Sequence, residues 1–317
     1  MKKAMIIAMV LCFSIAFMFS IPVFAKDNNG KNKVITWKMQ SAYPLHTASA
    51  LPAVLWAKQM DQLTQGRLKI EIFPPAALCG TNEIIDFIEN NVIDCAMTYG
   101  GYYTGIIPES NLSTGLPMVH QNIDEWYDAW YNRGLIEIVR EAYAERNIRF
   151  YSFAVDHWYN YVLSEPIKSI EDLKGKKIRA VGTFGEFTQN LGASAVTIPG
   201  AELYMALKLG TADGALYSAA GIKDLKLNEI IKYRVYPTVC QISADLYINK
   251  KSIDKLPSDL RHILLNSTDD IMVRGAMQVQ IQDHAIQIWA DQNNVKRIYL
   301  SDDDIKIATN AAVTVWD

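Results

Sequence analysis

LKGKKIRAVGTFGEFTQNLGASAVTIPGAELYMALKLGTADGALY, Leu173 to Tyr217, decides the fold. It reads as a basic strand carrying Arg179, a turn with Gly182 and Gly185, and a short helix. A second strand from Ala195 to Ile198 follows, then a helix from Glu202 to Leu209 closed by Gly210, and a third strand from Ala212 to Tyr217. Each strand ends where a helix begins, so unpaired N–H groups of loops and helix N-termini gather above the strand ends. Such a stretch suits the capture of a small anion, and its alternation of strand and helix predicts α/β architecture.

The same alternation lies upstream. Val34 to Tyr43 is a strand stopped by Pro44, and Leu51, Val54, Leu55, Met60 and Leu63 mark a helix closed near Gly66. Arg67 to Phe73 is a second strand, Asn82 to Asn91 a helix, and Ile93 to Tyr99 a third strand running into Gly100 and Gly101. This β-α-β-α-β order favours a parallel sheet with crossover helices. Asp124 to about Arg146 reads as one long amphipathic helix, and Ile148 to Val155 as a buried strand. Ser169 to Asp172 has the form of a capping box opening a single turn, where a second array begins.

Past a helix near Ile222 to Ile231, Tyr233 to Asn249 reads as one extended stretch, long enough to cross between lobes. From Pro257 a helical pattern runs to Ile288 without another proline and would brace both lobes. The sequence stops inside a last helix, Asp303 to Trp316, as a truncated chain would. The prediction is a two-lobed α/β protein with crossing hinge strands. Lobe I takes 34–156 with part of 247–317, and lobe II takes 157–246.

The chain has 317 residues, half of them hydrophobic, and a formal net charge of -3, so nothing in the charge balance recommends a nucleic-acid partner. Lys2 and Lys3 precede an apolar run from Ala4 to Phe24, and Val23-Phe24-Ala25 supplies small residues where a signal peptidase reads. Residues 1–25 are therefore read as a secretory signal, which places the mature protein outside the cytoplasm. Cys79, Cys95 and Cys240 then remain, an odd number with no C-x-x-C spacing. A Cys79–Cys95 bridge is open, and buried small apolar residues are the preferred reading. No G-x-S-x-G, H-E-x-x-H, phosphate loop or paired metal-ligand spacing is present, which argues against an enzyme, and no cofactor is expected.

LKGKKIRAVG followed by LGASAVTIPGAELYMALKLGTADGA resembles the signature of the TRAP-transporter substrate-binding subunits, the DctP family of periplasmic solute-binding proteins. The order of elements is similar over nearly the whole chain. The resemblance implies a non-catalytic receptor of the periplasmic-binding-protein fold that closes on an organic acid and delivers it to a membrane permease. Arg179 matches the family's carboxylate-clamping arginine, and a planar guanidinium fork suits a carboxylate or sulfonate.

Two positions depart from the family pattern. Where many members place a second arginine, this chain reads Asp156-His-Trp-Tyr-Asn-Tyr161, with Trp158 near that place as pocket wall, indole donor or core residue. This favours a monocarboxylate, aromatic acid or sulfonate over a C4-dicarboxylate. Leu216 stands where relatives holding a 2-oxo acid through a metal ion have an acid, leaving Tyr217 as pocket wall and no metal expected. Glu202 matches the family glutamate, and it equally suits the positive end of a helix.

The first-lobe strand ends offer Tyr43, Tyr99 and Tyr102, since open α/β sheets bind ligands beyond the carboxyl ends of their strands. Core packing is the competing role for each. His46 follows the first strand and reads as a surface loop residue. The alternatives to a transport receptor are a periplasmic sensor subunit presenting its acid to a membrane kinase, and a periplasmic enzyme acting on an organic acid.

Overall fold

The structure is a computed structural model that describes residues 33–120 and 123–316, so the signal-peptide reading falls outside the described residues. In chain order the first array is β1 (Ile35–Ser41), α1 (Leu51–Leu63), β2 (Leu68–Phe73), α2 (Ile84–Glu89) and β3 (Cys95–Thr98). The 3-10 turn Gly100–Tyr102 and α3 (Ser110–Thr114) follow. Next come α4 (Ile123–Tyr127), α5 (Leu135–Glu145) and β4 (Ile148–Leu163). The second array is β5 (Lys177–Arg179), α6 (Thr183–Asn190), β6 (Ser194–Val196), α7 (Leu203–Lys208), β7 (Gly214–Ser218) and α8 (Ala219–Asp224). β8 (Tyr233–Tyr236), β9 (Cys240–Asn249), α9 (Lys250–Asp254), α10 (Ser258–Gln292), β10 (Lys296–Tyr299) and α11 (Asp302–Trp316) complete it.

The 10-stranded sheet runs β2-β1-β3-β9-β4-β7-β5-β6, with β8 joining β4 and β10 joining β8. β1 is parallel to β2 and β3, and β5 is parallel to β6 and β7, as crossover helices require. Between these parallel groups lie the antiparallel β9 and β4. β4 pairs with β9 from Ile148 to Tyr159 and with β7 from Tyr159 to Leu163, so one strand serves both halves of the two-lobed α/β fold. Its ladder with β9 shifts register between Ala154 and Asp156 and again between Asp156 and Tyr159.

Separate cores fill the two halves. Trp37, Met39, Trp56 and Met60 pack with Leu260, Leu264 and Met272 on one face of the first array, while Ile84, Ile88, Trp130, Tyr143 and Phe150 fill the other. Leu163, Ile178, Phe184, Phe187, Leu203 and Leu216 form the core of the second, which also takes Ala290. α10, 35 residues and so about 50 Å long, thus contributes to both. It approaches α1 closely at Gly275, where an added Cβ would lie 3.3 Å from Pro52. The buried indole of Trp56 donates to Thr268 Oγ1 at 3.1 Å and fixes that crossing.

Several elements differ from the sequence reading. The expected helix from Asp124 to Arg146 is interrupted by a π-helical turn at Asp128–Asn132 and by Gly134 at φ 83, a left-handed value that ends a right-handed helix. The helix expected over Ile222 to Ile231 ends at Asp224, with Lys226 at φ 56. The stretch from Tyr233 to Asn249 is two strands, because Pro237 has no N–H to donate to a ladder. The strand that does cross unbroken is β4, which runs eight residues beyond its expected end at Val155. The single turn after Ser169 forms as read: Ser169 Oγ accepts from Glu171 N at 3.0 Å, and the Asp172 carboxylate accepts from Ser169 N at 3.2 Å. All three described cysteines are free and buried.

Candidate functional site

Arg179 is the last residue of β5 and only 5% exposed. Its Nε donates to the Ile198 carbonyl at 2.9 Å, which fixes the plane of the guanidinium. Nη2 donates to Tyr102 Oη at 3.4 Å, and the guanidinium carbon lies 5.3 Å from the centre of the Tyr217 ring. Burial alone would lower the pKa of this group. The surrounding Tyr102, Tyr217, Tyr159 and Tyr99 outweigh that effect and hold it above its ordinary value, so the group stays a cation at any physiological pH. Among the described residues no carboxylate forms an ion pair with it. A buried cation of this kind is expensive without an anion.

The tyrosines are placed by glycines. Tyr102 Oη also accepts from Gly200 N at 3.3 Å, so one phenol serves both the arginine and the start of the turn before α7. The Tyr217 ring lies against Gly200 and Gly221, where added Cβ atoms would fall 2.7 Å from its hydroxyl and 2.0 Å from its ring. It packs on Tyr159 with centroids 5.6 Å apart. Tyr99 meets Tyr102 edge to face at 5.6 Å, and its buried hydroxyl makes no well-formed hydrogen bond, with the Thr114 hydroxyl beside it. Burial pushes the Tyr99 phenol well above its usual pKa, with Arg179 and the Thr114 hydroxyl acting the other way, so it is a neutral hydroxyl.

The two halves meet around this group. Gly182, at φ 61, brings the α6 N-terminus against the 3-10 turn: a Cβ there would lie 3.4 Å from Gly101 Cα. Thr114 Oγ1 and Thr183 Oγ1 are 3.2 Å apart, and Thr183 also donates to the Gly115 carbonyl. The structure therefore gathers Arg179, Tyr99, Tyr102 and Tyr217, all singled out from sequence. Tyr43, half-buried just beyond β1, packs against the cores of both halves. Trp158 is half-buried on the irregular part of β4. Glu202 is exposed in the turn preceding α7, at the end where helix amides favour negative charge. His46 is exposed, with Nε2 3.3 Å from the Asp224 carbonyl.

Sequence reasoning did not single out Tyr159, Thr114, Thr183 or Gln241. Gln241 is 2% exposed with neither amide atom hydrogen-bonded, an orphan polar group near the start of β9. A glutamine interrupting the Val- and Ile-rich strand was its only signal. Leu216, in the position where an acid would serve a cation, is buried in the second core, and the described residues contain no cluster of three His, Cys, Asp or Glu side chains. No described helix is long and apolar enough to cross a membrane.

The family model described as bacterial extracellular solute-binding protein, family 7, matches residues 40–317. A "Monocarboxylate 2-oxoacid-binding periplasmic protein" of Nostoc sp. is 27% identical over 74% of this chain, and the match spans 65% of that relative's length. The chain thus spans somewhat less than two thirds of that relative. An extracytoplasmic solute receptor of Bordetella pertussis, solved binding pyroglutamic acid, superposes with TM-score 0.83 at 18% identity, covering 89% of this chain and 93% of that one. A TRAP periplasmic solute-binding protein of Pseudoalteromonas atlantica, solved with sodium and pyruvate, gives TM-score 0.80 at 23% identity over 89% and 88%. These proteins are receptors, not enzymes, and at such identities the superpositions establish the fold alone.

Proposed function

The chain belongs to family 7 of the bacterial extracellular solute-binding proteins, and from that premise we propose that it is a periplasmic receptor that captures one small organic acid on Arg179 and delivers it to a TRAP-type membrane permease. The observation that carries this reading is the buried guanidinium of Arg179, ringed by tyrosines and without a carboxylate partner among the described residues. A bound carboxylate or sulfonate supplies the missing anion, and sealing the site from water strengthens that pairing.

The neighbourhood favours a monoanion. Among the described residues Arg179 is the cation that the geometry places among these tyrosines, and the aromatic faces of Tyr99, Tyr102 and Tyr217 suit a compact apolar or aromatic body. The relatives named above are described with a monocarboxylate 2-oxoacid, pyroglutamic acid and pyruvate, each carrying one carboxylate. A cation-assisted grip, of the kind in the neighbour solved with sodium and pyruvate, draws no support from a strand that offers Leu216 in place of an acid. Capture proceeds by closure of lobe II (157–246) on lobe I (34–156 with part of 247–317), hinged on β4 and β9 where their ladder is irregular. Tyr99 turns its buried hydroxyl from Thr114 to the captured acid, and Trp158 and Tyr217 are walls.

A thermal-shift panel of pyruvate, pyroglutamate, picolinate, a sulfonate and succinate tests the reading. A monoanion raises the melting temperature, succinate does less, and Arg179→Ala, folded by circular dichroism, abolishes the shift. Undiminished stabilisation of the Ala variant would place the anchor elsewhere, and turnover of any acid would make the protein an enzyme.

A further inference from the structure

Asp245 lies in the middle of the sheet, opposite Thr98 of β3 and Ser152 of β4, and is 0% exposed. Oδ1 accepts from Ser152 Oγ at 2.8 Å and Oδ2 from Tyr247 Oη at 3.1 Å. Directly above it sits the 3-10 turn that carries Tyr102. A Cβ on Gly100 would lie 3.4 Å from Asp245 Oδ2 and 2.2 Å from Ser113 Oγ. Gly100 is thus pressed onto the carboxyl group and onto α3 together.

Two further hydroxyls border the carboxyl group, those of Ser243 and Ser113. Both are engaged elsewhere: Ser243 Oγ donates to the Ser113 carbonyl at 2.5 Å, and Ser113 Oγ donates to the Ser110 carbonyl at 2.9 Å. A neutral carboxyl leaves these bonds in place. An ionised one, buried and needing donors, competes with the α3 carbonyls for the same two protons. Around it stand Tyr247 of β9, Tyr143 of α5 and Tyr131 of the π-helical turn. Tyr103 packs on Tyr247, and Arg140 and Asp269 act on Tyr131 from further out. No cation bonds Asp245 among the described residues.

We propose that Asp245 is a proton-linked positioning residue for solute capture: its buried carboxyl group seats the Gly100–Tyr102 turn and α3, and so decides how firmly Tyr102 is presented to Arg179. Protonated, it lets Ser243 hold α3 down, with Tyr102 against Arg179 and Thr114 against Thr183. Ionised, it loosens that seat and favours the hydrated, open arrangement. Burial raises the folded-state pKa of the group to about 6, which brings the change into the range a periplasm meets. Solute capture then takes up a proton and tightens as pH falls. The capture step rests on the receptor reading above, whereas the seating of the turn does not.

The experiment has two arms on the full mature chain. In the first, amide hydrogen exchange over residues 100–115 is followed without ligand from about pH 5 to about pH 8, corrected for intrinsic exchange. Protection falls several-fold as pH rises in the wild type and is flat in Asp245→Asn, which mimics the protonated state. Ser152→Ala, which removes a donor to the ionised form, moves the midpoint to higher pH. Protection independent of pH in the wild type, or changing equally in Asp245→Asn, overturns the proposal. In the second arm, the affinities for pyruvate, pyroglutamate and picolinate are measured over the same range. For any of them that binds, affinity rises toward low pH in the wild type and is flat in Asp245→Asn; equal pH profiles overturn the proposal. If none of the three binds while exchange behaves as stated, the receptor reading for these acids fails and the seating role of Asp245 holds.

Discussion

Arg179 Nη2 donates to Tyr102 Oη at 3.4 Å, joining the end of β5 in one half of the molecule to the turn after β3 in the other. The two residues are 77 positions apart in sequence, and the same phenol oxygen accepts from Gly200 N. A single hydroxyl therefore couples the cation to the turns on either side of it. Tyr102→Phe keeps the ring that packs on Tyr99 and removes only that oxygen. Solute affinity by calorimetry should fall roughly tenfold or more, as expected for about 1.5 to 3 kcal/mol of hydrogen bonding to a charged group. An unchanged affinity would mean that the tie is incidental to capture.

Gly221 lies under the Tyr217 ring, where an added Cβ would be 2.0 Å from a ring carbon. Because that space is filled by a buried aromatic rather than by a flexible tip, Gly221→Ala must displace Tyr217 from its place over Arg179. We expect a destabilisation of about 1 to 3 kcal/mol by chemical denaturation, the usual cost of overpacking, together with weaker solute binding. Gly210→Ala, with open space around its Cβ but φ 69, should cost stability without touching binding.

Asp245 also makes stability depend on pH in a defined direction. Its pKa is raised in the folded state from 3.8 to about 6 by burial, partly offset by the hydroxyls of Ser152, Ser243, Tyr247 and Ser113. The folded state thus binds the proton more tightly than the unfolded chain. The stabilisation is fully present below about pH 4 and is lost as pH rises through about 6, a swing of roughly 3 kcal/mol from two pK units. Asp245→Asn should remove that component, so its advantage over the wild type in urea midpoint grows from about pH 4 to about pH 7. A constant difference between the two proteins across that range would contradict the assignment.

Arg234 of β8 is fully buried and reaches α10, pairing with Asp291 Oδ1 at 2.7 Å and hydrogen-bonding Gln287. Asp291 also holds Arg297 of β10 at 2.6 Å, and its own carboxyl lies below the usual range through Arg297 and Arg234. Asp291→Ala leaves Arg234 buried without its anion. The cost should be about 3 kcal/mol or more, read as a lowered melting temperature, whereas Lys306→Ala, which breaks the exposed pair with Asp303, should change it little.

The parts of the protein legible in its sequence are those governed by local rules. Strand and helix alternate in Leu173 to Tyr217 because apolar period and glycine turns alternate there, and the capping box at Ser169 formed as its residue types require. Arg179 was legible as a candidate only through its place in the LKGKKIRAVG motif, because an arginine at a strand end is by itself most often a solvated surface residue. The misread elements were those whose fate depends on one residue's backbone geometry within a favourable pattern. Gly134 and Lys226 in left-handed conformations end helices that hydrophobic spacing alone would continue, and Pro237 divides a stretch rich in strand formers.

Sequence by itself determined the α/β class and most of the order of elements, since these follow from periodicity and turn residues, and it put Arg179 at a strand end as the candidate anchor through its place in the motif. Only the tertiary structure decided which tyrosines surround Arg179, that Gly200 and Gly221 make room for Tyr217, and that Asp245 lies beneath the turn of Tyr102. Those relationships join residues far apart in the chain. Each exists because antiparallel β4 and β9 carry the two parallel groups in one sheet, an arrangement fixed by long-range strand pairing that no local pattern encodes.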